Sequence, residues 1–84
     1  MKAKYKAIEV EYVQFTNTPE NLKKLEMFFS DKCDYEVDNE NADEPELRLG
    51  DFDAAYLNDY VVYENNDYYV IGEVEFNKVF EKIE

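Results

Sequence analysis

The chain has no histidine, a single cysteine, two glycines and two prolines among its 84 residues. Without His it lacks the commonest general base and metal ligand at neutral pH. Cys33 therefore has no imidazole partner within one chain, which removes a Cys–His nucleophile, and one cysteine cannot close an internal disulfide. A lone thiol fits a reducing cytoplasm. It stands between Lys32 and Asp34 at the end of a helical pattern, where a half-buried structural thiol is expected. Gly50 and Gly72 stand apart, so no glycine-rich loop exists to cradle a phosphate. So little glycine and proline excludes a collagen-like chain, and the want of a long apolar run excludes a membrane-spanning helix. The basic start Met1-Lys2-Ala3-Lys4-Tyr5-Lys6 passes into alternating Ile8-Glu9-Val10-Glu11 rather than an unbroken apolar core. No secretory signal is expected there.

What the chain has is acid and aromatic surface. Twenty-one Asp and Glu against nine Lys and Arg give a net charge of −12, and eight Tyr with six Phe supply the bulk for a core. At this size a single domain buries only roughly 60–65% of its unfolded surface, so rings that each bury on the order of 150–250 Å² matter. The charge is uneven. Residues 1–30 carry +1, residues 31–59 carry −9 with eleven acids against Lys32 and Arg48, and residues 60–84 carry −4. Such a chain repels nucleic acid and anionic membrane and is drawn to basic protein surfaces. Acidity also simply keeps small proteins soluble.

The pattern predicts one α+β domain over 1–84, a mostly antiparallel sheet with one helix from the N-terminal half packed on it and a short C-terminal helix. Asp59 to Ile71 is its organising stretch. Tyr60-Val61-Val62-Tyr63 and Tyr68-Tyr69-Val70-Ile71 flank Glu64-Asn65-Asn66-Asp67, a turn of residues that tolerate left-handed backbone, and the two runs are apolar enough for mid-sheet strands. Tyr5 to Thr16 reads as the first strand, but Ile8, Val10 and Tyr12 alternate in one phase and Val13 and Phe15 in the other. Either a bulge near Tyr12 or Val13 restores the phase, or both faces are covered there. Thr18-Pro19-Glu20 opens a helix carrying Leu22, Leu25, Phe28 and Phe29 on one side and ending near Ser30-Asp31. Tyr35-Glu36-Val37 and Leu47-Arg48-Leu49 are short strands around a mobile acidic loop at about 38–46 that contains Pro45. Gly50-Asp51 is a turn, Phe52 to Tyr56 pairs back, and Leu57-Asn58-Asp59 is a corner. Glu73 to Ile83 reads as a helix through Phe76, Val79, Phe80 and Ile83, with a strand through Val74 and Phe76 as the competing reading.

The run from Lys4 to Thr16, ending Val13-Gln14-Phe15-Thr16 and followed by an Asn-Leu helix, resembles small phage and prophage proteins of the PGDYG type, grouped by a Pro-Gly-Asp-Tyr-Gly signature. Leu57-Asn58-Asp59-Tyr60-Val61-Val62 would occupy their Gly-Asp-Tyr corner and Phe76-Asn77-Lys78-Val79-Phe80-Glu81 their closing segment. Leu57-Asn58 replaces Pro-Gly, and the Pro-rich stretch after the hairpin is missing around Gly72-Glu73. The resemblance implies a phage or prophage origin and carries over no active-site residue.

The acids hold the remaining signal. Asp38-Asn39-Glu40-Asn41 is similar to the start of a calcium loop, but Asp43 stands where such a loop needs Gly and Leu49 where it needs a bidentate Glu. No metal, cofactor or catalytic residue is assigned. Glu9 and Glu11, Glu44 and Glu46, Asp51 and Asp53, and Glu73 and Glu75 stand two apart, which in extended chain puts each pair on one side about 6.6–6.8 Å apart. Like charges side by side cost stability, so either screening makes the repetition irrelevant or the chain has a reason to present a negative surface, imitation of a nucleic-acid backbone being one. Asp38, Glu40, Asp43, Glu44, Glu46, Asp51 and Asp53 are the candidate partner-binding residues. The expected function is a non-catalytic, cytoplasmic phage-type inhibitor of a basic nucleic-acid-handling host protein, of the restriction, repair or CRISPR-type nuclease class. The alternative is an accessory domain that forms a homodimer through its Tyr-rich sheet, and a carboxylate-dependent metal binder or enzyme is the third reading.

Overall fold

Two short strands open the chain in the computed structural model, which describes residues 1–5, 8–40, 43–50 and 53–82 and, of residues 4, 5, 8, 9, 81 and 82, the backbone alone. Strand β1 (Lys2–Tyr5) pairs antiparallel with β2 (Ile8–Gln14), with Lys2 opposite Glu11 and Ala3 opposite Val10. The expected single strand from Tyr5 to Thr16 is thus a hairpin that begins earlier and ends at Gln14. Its first arm was illegible because Ala3 alone, a small side chain, is its described buried residue.

Helix α1 (Pro19–Phe29) follows, with Thr18 Oγ1 accepting the Asn21 N–H at 3.1 Å as N-cap and Pro19 in the first turn. It closes at Ser30 (φ 50°), whose N–H donates to the Glu26 carbonyl. Leu25 and Phe29 are buried, with Leu22 and Phe28 packed at the margin of the same cluster. Strands β3 (Tyr35–Asp38), β4 (Glu46–Leu49) and β5 (Asp53–Tyr56) form a separate antiparallel sheet in the order β3-β4-β5. Asp38 and Glu46 are strand residues rather than the ends of the expected loop, of which 41 and 42 lie outside the described residues, and Pro45 is fully buried rather than a mark of exposed chain. Phe52 and the Asp51 half of the expected Gly50-Asp51 turn lie outside the described residues; Gly50 itself has φ +60°.

The organising hairpin is β6 (Tyr60–Glu64) and β7 (Asp67–Ile71), joined by Asn65 (φ 53°) and Asn66 (φ 63°). Two consecutive positive φ angles make the type I′ turn whose twist matches the strands. Helix α2 (Glu73–Val79) and the two-residue strand β8 (Glu81–Lys82) end the described chain, so the last segment is helix and then strand, and Ile83 lies outside the described residues. The five-stranded sheet runs β7-β6-β2-β1-β8. The expectation of a mid-sheet hairpin therefore fails for β7, which is an edge. Strand β2 is central, being long enough to pair with β1 on one side and β6 on the other.

The apolar phase change in β2 needs no bulge, since the register from Glu11↔Tyr63 to Gln14↔Tyr60 is unbroken. Both faces are covered instead. On one, Val13, Val61 and Tyr68 meet Leu25 and Phe29 of α1 and Leu47, Leu49 and Ala55 of the small sheet. On the other, Val10, Tyr12, Tyr60 and Val62 meet Phe76 and Phe80. A sheet buried on both sides reads as continuous apolar chain rather than alternation. That is why β6 looked like a mid-sheet strand.

The Tyr68 hydroxyl donates to the Phe28 carbonyl at 2.7 Å and ties this sheet to α1. Burial pushes its phenol above the ordinary value, with Tyr63, Cys33 and Glu11 adding to the shift. A raised folded value means the neutral form is the one the fold favours. This stabilisation is complete below the unfolded tyrosine value of about 10 and is lost as pH rises through the folded one. Urea midpoints measured against pH on the alkaline side should fall less steeply for Tyr68→Phe than for the unaltered chain. Equal slopes would remove the phenol from the account.

Candidate protein-interaction surface

The small sheet presents two unlike faces because its register sorts the side chains by row. Val37, Leu47 and Ala55 form one row, and Tyr35, Leu49 and Asp53 the next on that side. This side enters the core through Leu47, Leu49 and Ala55. Asp38, Glu46 and Tyr56, with Glu36, Arg48 and Ala54 beside them, make up the outer side.

Arg48 organises the outer side. Its Nη2 lies 2.7 Å from Asp38 Oδ2 and its Nε 2.9 Å from Glu46 Oε1, so one guanidinium spans two strands. The backbone N–H of Glu40 donates to Asp38 Oδ1 at 3.0 Å. That hydrogen bond, and behind it Arg48, hold the Asp38 carboxyl below the usual carboxylate range. Glu46 first, then Asp38, raise the Arg48 value in return. The Asp38 carboxylate therefore stays charged through neutral and mildly acidic pH, and Arg48 fixes it and Glu46 in place rather than leaving them to swing on a loop.

Five of the seven candidate residues come together on the β3–β4 hairpin. Asp38 and Glu46 stand in the strands, while Glu40, Asp43 and Glu44 are exposed in the connection. Asp53 does not join them, because its register partner is Leu49 and it lies on the row facing the core side, exposed only at the strand's start. Asp51 lies outside the described residues. The spacing argument fails at Glu73 and Glu75, which sit in α2, where two residues turn the side chain by roughly 200°. Glu73 accepts a hydrogen bond from Gln14 Nε2 at 3.1 Å, and Glu75 stands 4.0 Å from Lys78.

Two residues of this surface were passed over. Glu36 precedes Asp38 by two and shares its face, a spacing visible in the sequence. Tyr56, exposed at 54%, gave no signal, since an aromatic ending a short strand reads as core.

The tyrosines of the large sheet offer less surface than their number suggests. Tyr60 and Tyr68 are buried, and Tyr60 stacks on Phe76 with ring centroids 3.8 Å apart. Tyr63 and Tyr69 are half-buried, with their hydroxyls on Asn66 and Glu64. Cys33 is half-buried with its thiol donating to the Asp34 carbonyl at 3.4 Å. Burial, then the charges of Asp34 and Asp67, push its value up, which keeps it protonated and a poor nucleophile at neutral pH. Among the described residues no three Cys, Asp or Glu side chains are grouped to hold a metal ion, and no helix is long and apolar enough to cross a membrane.

Comparison with known protein families, with curated proteins and with solved structures finds no match for this chain.

Proposed function

We propose that the chain is a small acidic binding protein of phage type that inhibits a nucleic-acid-handling host protein by occupying its cationic groove, without turnover. Restriction, repair or CRISPR-type nucleases are the target class. One observation supports this reading above the rest. Between Glu36 and Arg48 six carboxylates stand against one cation, on a hairpin whose inner face is anchored in the core by Leu47 and Leu49. A negative projection anchored in the core is what a groove built for phosphates accepts, and long-range attraction would speed the encounter. Self-association through the Tyr-rich sheet draws less support, because Tyr60 and Tyr68 are already buried within the chain.

Immobilised protein should retain a basic nucleic-acid enzyme from host lysate, release it at moderate salt and lose it to competing duplex DNA. A column that holds nothing, or only more of this chain, defeats the reading for that host. Neutralising Glu40→Gln, Asp43→Asn and Glu44→Gln together should weaken binding to the retained enzyme about tenfold, taking roughly 0.5 kcal/mol for each exposed pair lost. It should also flatten the dependence on salt. Because Glu40, Asp43 and Glu44 are exposed, the triple variant should melt within a few degrees of the parent.

A further inference from the structure

Charge alone does not account for the outer face of the small sheet, which carries an exposed ring among its acids. Tyr56 shares a row with Glu46 and Asp38, and the small Ala54 stands two residues before it on the same side. Leu57, 40% exposed, follows in the turn past the strand's end. Nothing in the core explains this placement, since the buried residue of β5 is Ala55, on the opposite side. Tyrosine is enriched at protein–protein interfaces relative to the rest of the surface.

We propose that this face docks the arginine-bearing surface of a basic protein, with a partner guanidinium lying over the Tyr56 ring beside the Glu46 carboxylate. The inference rests on the charge-based reading above and adds the chemistry that would choose the partner. Arginine suits the site better than lysine. Its flat, weakly hydrated guanidinium stacks on an aromatic face while its N–H groups reach a neighbouring carboxylate, and an ammonium does not do both at once. The carboxylates of this face already hold one guanidinium, Arg48 between Asp38 and Glu46. Tyrosine and arginine are also the residues that most often dominate binding energy at interfaces.

The test uses deca-arginine and deca-lysine peptides as probes, titrated into the protein by calorimetry at low and physiological salt. Both should bind and weaken with salt, with deca-arginine about two- to fivefold tighter from the ring contact. That preference should vanish in Tyr56→Ser and survive in Tyr56→Phe, while the salt dependence stays unchanged in both. An exposed position makes these variants safe for folding, which a melting curve checks. Equal binding of the two peptides, or a preference that Tyr56→Ser leaves intact, overturns the docking inference and leaves the charge-based reading standing. If neither peptide binds, both fall together.

Discussion

Phe76→Ala is expected to lower stability by about 3–5 kcal/mol, the usual cost of emptying a fully buried aromatic site. Helix α2 is only seven residues long, and isolated helices of that length are marginal in water. Its N-cap is Gly72, with no side-chain hydrogen bond to the first turn. Tertiary packing must therefore hold it, and Phe76 is its one buried residue. The ring is 0% exposed, stacks on Tyr60 and Phe80, and tilts against Tyr12 at 5.0 Å. Removing it would undock α2 and open one face of the large sheet. Against a total stability of roughly 5–15 kcal/mol, and a Tm shift of about 4–8 °C per kcal/mol at this size, the loss should appear as a fall of about 12–40 °C. Phe76→Leu, which keeps most of the volume, should fold and lose far less, so the pair separates lost packing from failure to fold. A Phe76→Ala melt within a few degrees of the parent would mean that α2 does not cover the sheet.

The same ring shows what the sequence made legible and what it hid. Phe76 and Phe80 stood at helical spacing, Val74 and Phe76 at strand spacing, and periodicity alone could not choose. The chain resolves this by ending the helix at Val79 and adding a two-residue strand on β1, a pairing set by tertiary contact. Thr18-Pro19-Glu20 announced α1 unambiguously because capping is local chemistry, and Asn65-Asn66 announced the hairpin for the same reason. Strand order left no such trace, so β7 read as a central strand. The acids were legible as composition and only partly as a site. The acidity of the central segment singled out Asp38, Glu40, Asp43, Glu44 and Glu46, but only the structure shows that Arg48 gathers two of them and that Asp53 belongs to the other side.

Asn21 was the residue least visible beforehand, and its replacement should rank with Phe76 in effect. A polar side chain in the first turn of a helix is unremarkable in sequence, yet this one is 7% exposed. Its Oδ1 accepts the backbone N–H groups of Thr16 at 2.8 Å and Asn17 at 3.0 Å, and its Nδ2 donates to the Gln14 carbonyl at 2.6 Å. One amide thus satisfies three main-chain groups where β2 leaves the sheet and enters α1, a bend that includes Asn17 at φ 57°. Asn21→Ala should leave those groups unpaired and cost on the order of 2–4 kcal/mol, somewhat less than three separate penalties because water reaches Thr16. Asn21→Asp distinguishes the causes. Its carboxylate can still accept from both N–H groups and suits the helix N-terminus, but it cannot donate to Gln14. It should therefore fall between the parent and Ala in urea denaturation. If Ala and Asp destabilise equally, the donor to Gln14 carries the effect. If neither does, the β2–α1 junction is held by the packing of Phe15 and Leu25 rather than by this amide.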